Sequence, residues 1–172
     1  MKTKLMFVML LVFFTTIASY AQITKVEIMA TGLTCSMCSN AINKQLKTLP
    51  EVERVSTDLN TNTFTVHLKK ENQITPLILK QKVEKAGFFV GSMIVTLTLN
   101  HSKWENSVAI TPEGSTYVFL DQKTNPGKEE VAVKVMDKGF ITPKEYKKTA
   151  KALSKYPTYA AGDAKTFHVK MM

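Results

Sequence analysis

Two cysteines separated by two residues, Cys35 and Cys38, are the side chains of this chain best placed by type and spacing to do chemistry. They stand in the stretch Gly32-Leu33-Thr34-Cys35-Ser36-Met37-Cys38, which follows an alternating apolar segment and opens a helical one. At a helix start the unpaired backbone N–H groups favour thiolate over thiol, and a two-residue gap lets the sulfurs face one another. Metal binding demands that deprotonation. Zn(II) prefers four tetrahedral ligands and would be left half-coordinated by the pair, whereas Cu(I) is satisfied by two or three soft sulfurs. The ligand count points to a soft monovalent ion. Two other readings stay open: a passive disulfide, whose short loop would stabilise little, and a thiol–disulfide exchange protein. Against the second stands the lack of a tryptophan before Cys35.

The remaining soft or titratable candidates have plainer readings. Met37 sits between the cysteines, and its thioether is an accessory ligand only if it turns inward; at a helix start it is expected to point away. His67 falls opposite Phe64, Val66 and Leu68 on its strand and reads as a surface histidine. His101 belongs to a connecting segment. His168 forms a loose ending with Met171 and Met172, a set that could hold copper but reads first as a fraying chain end with methionine as filler. No Ser–His–acid set, paired carboxylates or glycine-rich phosphate loop is legible, so an enzyme is not expected.

The elements that position the cysteines come from the apolar pattern. Residues 24–30 alternate as a half-buried strand, with Val26, Ile28 and Ala30 apolar. Cys38, Ala41, Ile42, Gln45, Leu46 and Leu49 then recur at helical spacing until Pro50. Residues 52–59 and 63–68 read as strands joined by Asn60-Thr61-Asn62, which tolerate the positive φ of a hairpin turn. Thr75-Pro76 caps a helix that runs to Ala86 and stops at Gly87, and a last strand spans residues 89–99. Strand, helix, strand, strand, helix, strand is the split order of a ferredoxin-like sandwich, an α+β fold.

Beyond it, residues 100–106 read as a linker with Trp104 as an anchor. Residues 107–110, 116–120 and 130–136 alternate like strands. Thr142-Pro143-Lys144-Glu145 is a capping box that opens a helix ending near Tyr156-Pro157, and residues 166–171 give a final strand. The expected organisation is a leader over 1–21, a ferredoxin-like domain over 22–99, the linker, and a small β-rich domain with one helix over 107–172.

The leader is read from Lys2 and Lys4, the apolar run from Leu5 to Phe14, and Ser19-Tyr20-Ala21 before a cut at Gln22. The run is shorter than the roughly 20 residues of a spanning helix, and the residue after the cut is not cysteine, so neither a stable membrane span nor a lipid anchor is expected. A periplasmic or secreted protein follows. The 172-residue chain carries +9; the leader holds two lysines and no acid, so +7 remains after cleavage. Arg54 is the only arginine and no aromatic residues interleave with the lysines, which excludes a nucleic-acid surface; the lysines read first as solvated charge, with a docking patch for an acidic partner or anionic lipid as the alternative. Two cysteines within four residues are too few for a disulfide-scaffolded secreted domain.

With the glycine, the Cys-x-x-Cys pair, the strand-to-helix context and the element order together, the stretch from about residue 23 to 98 resembles a heavy-metal-associated domain. That is the fold of copper chaperones, of copper-ATPase amino-terminal modules and of the periplasmic mercury-binding protein. Gly32, Thr34, Cys35 and Cys38 match the family pattern Gly-Met-Thr-Cys-x-x-Cys, while Leu33 replaces a methionine that packs inward, a change of similar volume. Ala86-Gly87-Phe88 resembles the metal-facing loop of the ATPase-type members. The resemblance implies Cys35 and Cys38 as metal ligands, Thr34 and Phe88 beside the ion, and Cu(I) or Hg(II) as the ion. It also implies capture followed by thiolate exchange with a donor or acceptor protein such as a copper-transporting ATPase or an efflux system. The alternatives are a redox protein cycling Cys35 and Cys38, or a binding module that acts through the carboxy-terminal domain.

Overall fold

The structure is a computed structural model that describes residues 23–70, 72–98, 103–110, 114–121, 129–161 and 163–172. The expected leader and His101 lie outside the described residues. Among the described residues no helix is long and apolar enough to cross a membrane.

Strand β1 (Ile23–Thr31) buries Val26, Ile28 and Ala30, as its alternation requires, and pairs antiparallel on both sides. Its neighbours are β3 (Thr63–Leu68) and β4 (Phe89–Thr98). Strand β2 (Val52–Asp58) pairs with β3 through a turn in which Asn62 takes φ 54°, a left-handed conformation open to asparagine. Helices α1 (Ser36–Lys47) and α2 (Pro76–Lys85) fill the remaining places of the split order. The α2 start is capped as read, with the Thr75 hydroxyl accepting from the Ile78 N–H at 3.4 Å. Ile42 and Leu46 of α1 and Leu79 and Val83 of α2 share one core with Val26, Ile28, Phe64, Val66 and Val95. Each such side chain contributes about 1.5–3 kcal/mol on full burial. The first half is therefore a ferredoxin-like sandwich with strand order β2-β3-β1-β4.

The sheet does not stop at β4. Strand β8 (Glu130–Val135) adds antiparallel to β4, from Ile94 opposite Lys134 to Thr98 opposite Glu130. Beyond β8 follow β9 (Thr166–Met171), β7 (Thr116–Phe119), β6 (Val108–Ile110) and β5 (Lys103–Glu105), nine strands in all among the described residues. The pairing is antiparallel except between β7 and β9, which run parallel. Val131, Val133, Val135, Phe167 and Val169 join the core that holds the first half. A parallel pair needs a crossover, and here α3 (Pro143–Leu153) and α4 (Pro157–Ala161) lie between β8 and β9 in sequence.

Three details differ from the reading of the sequence. Lys103–Glu105, placed in a linker, is strand β5. The second half holds two helices, not one. The first ends at Leu153, capped at Ser154, short of the Tyr156-Pro157 expected, and Pro157, whose fixed φ is preorganised to open a helix, begins α4. The capping box is half made: Thr142 accepts from the Glu145 N–H at 3.2 Å, while the Glu145 carboxylate turns to Lys134 of β8 at 2.6 Å.

Candidate metal centre

The turn after β1 depends on Gly32, whose φ of +87° lies in the left-handed region. A Cβ there would meet only Phe88 Cδ1, at 3.9 Å, so backbone conformation rather than space calls for glycine. Leu33 packs against the core, which ties the turn down. Cys35 then takes the N-cap position of α1 with extended backbone (φ −156°, ψ 162°), and its side chain makes no capping bond. The thiol is left free for other partners.

That partner is Cys38. Its backbone N–H donates to the Cys35 carbonyl at 3.1 Å, closing the first turn, and the two sulfurs stand 2.9 Å apart as free thiols. Cys35 is exposed and Cys38 half-buried. The hydrogen bond from the Cys35 side chain, helped by the Thr34 backbone, holds the Cys38 thiol below its ordinary range, with burial opposing. Leu33, Thr34, Ser36 and Ser39 share a cleft with Cys35, closed on its far side by Leu59 and Asn62 around the β2–β3 turn. Phe88 is half-buried against the core beside Gly32, carried there by Gly87 at φ +89°.

Residues 27–89 match the sequence profile of the family described as heavy-metal-associated domain. A solved copper-transporter domain of yeast, Ccc2a, is 35% identical over 38% of this chain and 88% of its own length, with a TM-score of 0.35. Residues 27–89 are a heavy-metal-associated domain. A copper-binding domain from HMA7, a P-type ATPase, is 31% identical over 38% of this chain and 86% of its own, TM-score 0.35. The Atx1–Cu(I)–Ccc2a complex gives 34% identity over 40% of this chain and 89% of the matched one, TM-score 0.33. No curated protein matches the chain. Residues 90–172 lie beyond the family profile.

Among the described residues no group of three or more His, Cys, Asp or Glu side chains is arranged to hold a metal ion, so the sulfurs are a pair and not part of a larger ligand cluster. Met37 is 81% exposed and points into solvent, as the helix start implied. His67 is half-buried on the polar side of β3, its Nε2 3.1 Å from Arg54 Nη2.

His168 corrects the reading of a frayed end. It is 1% exposed in a strand paired on both sides, and both ring nitrogens are engaged. Nδ1 lies 2.8 Å from Asp137 Oδ1 and Nε2 2.8 Å from Thr158 Oγ1, while the Asp137 Oδ2 accepts the His168 N–H at 2.7 Å. Because strand side chains alternate, Phe167 and Val169 enter the main core while His168 meets Tyr159 edge-on at 5.1 Å on the other face. Burial pushes the Tyr159 hydroxyl well above the ordinary tyrosine range, and that hydroxyl donates to the Met136 carbonyl at 2.9 Å. This string was not legible: its members lie 31 and 10 positions from His168, with no repeating interval.

Proposed function

We propose that the protein is an exported, non-enzymatic carrier that captures a soft metal ion, Cu(I) first and Hg(II) as the alternative, between Cys35 and Cys38. The carrying observation is a pair of unbridged sulfurs 2.9 Å apart at a helix start, one of them exposed, with no larger group of ionisable metal ligands among the described residues. A site of two thiolates suits an ion content with two or three soft ligands and leaves Zn(II) under-coordinated. The depressed Cys38 thiol lowers the cost of the deprotonation that binding requires.

Transfer follows from the same geometry. An incoming thiolate of a donor or acceptor protein reaches the ion from the exposed side, bonds as a third ligand, and displaces Cys35 or Cys38 without releasing the ion to water. Thr34 and Phe88 flank this exchange, Thr34 by the hydrogen bonds at Cys38 and Phe88 by its apolar ring beside Gly32. Periplasmic or secreted placement, and a copper-transporting ATPase or efflux system as partner, complete the proposal. A thiol–disulfide exchange protein is the second reading, since the same proximity suits a reversible bridge.

Titration of the reduced protein with Cu(I) against a competing chelator, beside the Cys35→Ser/Cys38→Ser variant, separates the two. Tight one-to-one binding lost in the variant supports carriage. Binding unchanged by the variant, or absent in the parent, sinks it and directs attention to redox exchange or to the carboxy-terminal half.

A further inference from the structure

Helix α3 divides its surface sharply. Tyr146, Thr149, Ala150 and Leu153 face the protein, Leu153 fully buried, while Lys144, Lys147, Lys148 and Lys151 are exposed, as is Lys155 just past the helix end. At 100° per residue the four lysines of the helix fall within an arc of about 100°, opposite the buried side, and Lys144 and Lys151 stand about 10 Å apart along the axis; Lys155, beyond the helix, lies with its Nζ 5.3 Å from the centre of the Tyr156 ring. The one acid between Asp137 and Asp163 is Glu145, and its carboxylate is already bonded to Lys134. Nothing on the helix itself neutralises the stripe.

We propose that this stripe docks the protein on an anionic phospholipid surface. Lysine is a strongly hydrated point charge on a flexible stem, suited to many phosphates in no fixed register, and polybasic helix faces of this kind attract acidic headgroups. An acidic protein partner is the less suitable occupant, because stable protein interfaces centre on buried aromatic or apolar anchors and the stripe offers none. The large exposed apolar side chains of the described residues are Met37, Leu59, Phe89, Ile110 and Met172, none of them on α3. The helix lies on the surface by charge alone, without insertion, so binding is reversible and salt-sensitive. The cysteines belong to α1 and its N-cap, so docking and metal capture are separable properties.

The test is co-sedimentation of the purified protein with phosphatidylcholine vesicles, with and without phosphatidylglycerol, at low and high salt. The expected result is binding to the phosphatidylglycerol vesicles alone, weakened by salt. Replacement of Lys147, Lys148 and Lys151 by glutamine should lower partitioning by about 100-fold, roughly five-fold per lysine, with thermal unfolding unchanged. A control of equal net charge, Lys44→Gln/Lys47→Gln/Lys85→Gln, on exposed positions of the first half, should bind as the parent does. Equal loss in both triple variants would mean that net charge and not the stripe is responsible, and would overturn the assignment. So would binding to neutral vesicles, or binding to soluble poly-glutamate in preference to the anionic vesicles. Cu(I) stoichiometry should be the same in all three proteins, whichever way the vesicle result falls.

Discussion

The cysteine turn and the His168 string treat reactive side chains in opposite ways. Cys35 and Cys38 are held by a glycine turn and a helix start, with one sulfur in solvent and the two sulfurs 2.9 Å apart. His168 is sealed between strands, with Asp137 and Thr158 occupying both ring nitrogens and tyrosine rings beside it. On the proposed reading the cysteines accept an incoming ligand, and their approach is open. A group that ties elements together has its hydrogen-bonding capacity filled, because a buried unsatisfied polar atom is costly.

The comparison breaks most decisively at the sulfurs. Replacing either cysteine should abolish tight Cu(I) binding while moving stability by no more than about 0.5 kcal/mol, as for an exposed residue; chelator competition and urea unfolding read the two quantities. Cys35→Ala also removes the main cause of the depressed Cys38 thiol, so the thiolate absorbance of Cys38 should appear at higher pH than in the parent. In the parent, capture requires the thiolate, so apparent Cu(I) affinity should fall as pH drops through the Cys38 pKa, which lies below the usual thiol range.

His168→Ala should do the reverse. It removes the ring partner of Asp137 Oδ1 and that of Thr158 and leaves a cavity, at a cost of about 3 kcal/mol, visible as a lower urea midpoint, while the Cu(I) stoichiometry of folded protein stays at one. If metal binding disappears with the fold intact, the string is not merely structural. Gly32→Ala forces a side chain into φ +87°, which costs about 1–2 kcal/mol; because the strain falls on the cysteine turn, metal affinity should weaken with stability. The smallest effect is expected at Met37, where alanine should leave both Cu(I) affinity and stability unchanged. A marked drop in affinity there would make the thioether a third ligand.

Much of the first half was legible because its elements are amphipathic over short spans. The period of residues 24–30, the turn at Asn62, the Thr75-Pro76 cap and Gly87 each carry a local physical reason, and each appears where the pattern put it. Leu33 packs inward as a volume-matched replacement should. The second half yielded its main strands for the same reason but not its β5 strand or α4. A three-residue strand gives too few alternations to detect, and Pro157 reads equally as a stop for one helix and as a start for another.

By itself the sequence determined the cysteine turn: a glycine, two thiols at a fixed interval and a helix start are local features that involve only neighbouring residues. Only the tertiary structure decided that β4 has β8 beside it, that one sheet and one core run through both halves, and that His168 lies buried on Asp137 and Thr158. Strand partners and hydrogen bonds across tens of residues depend on which edges meet in space, and an edge strand offers the same unpaired N–H and C=O groups to any partner. The choice is made by packing, which no local pattern records.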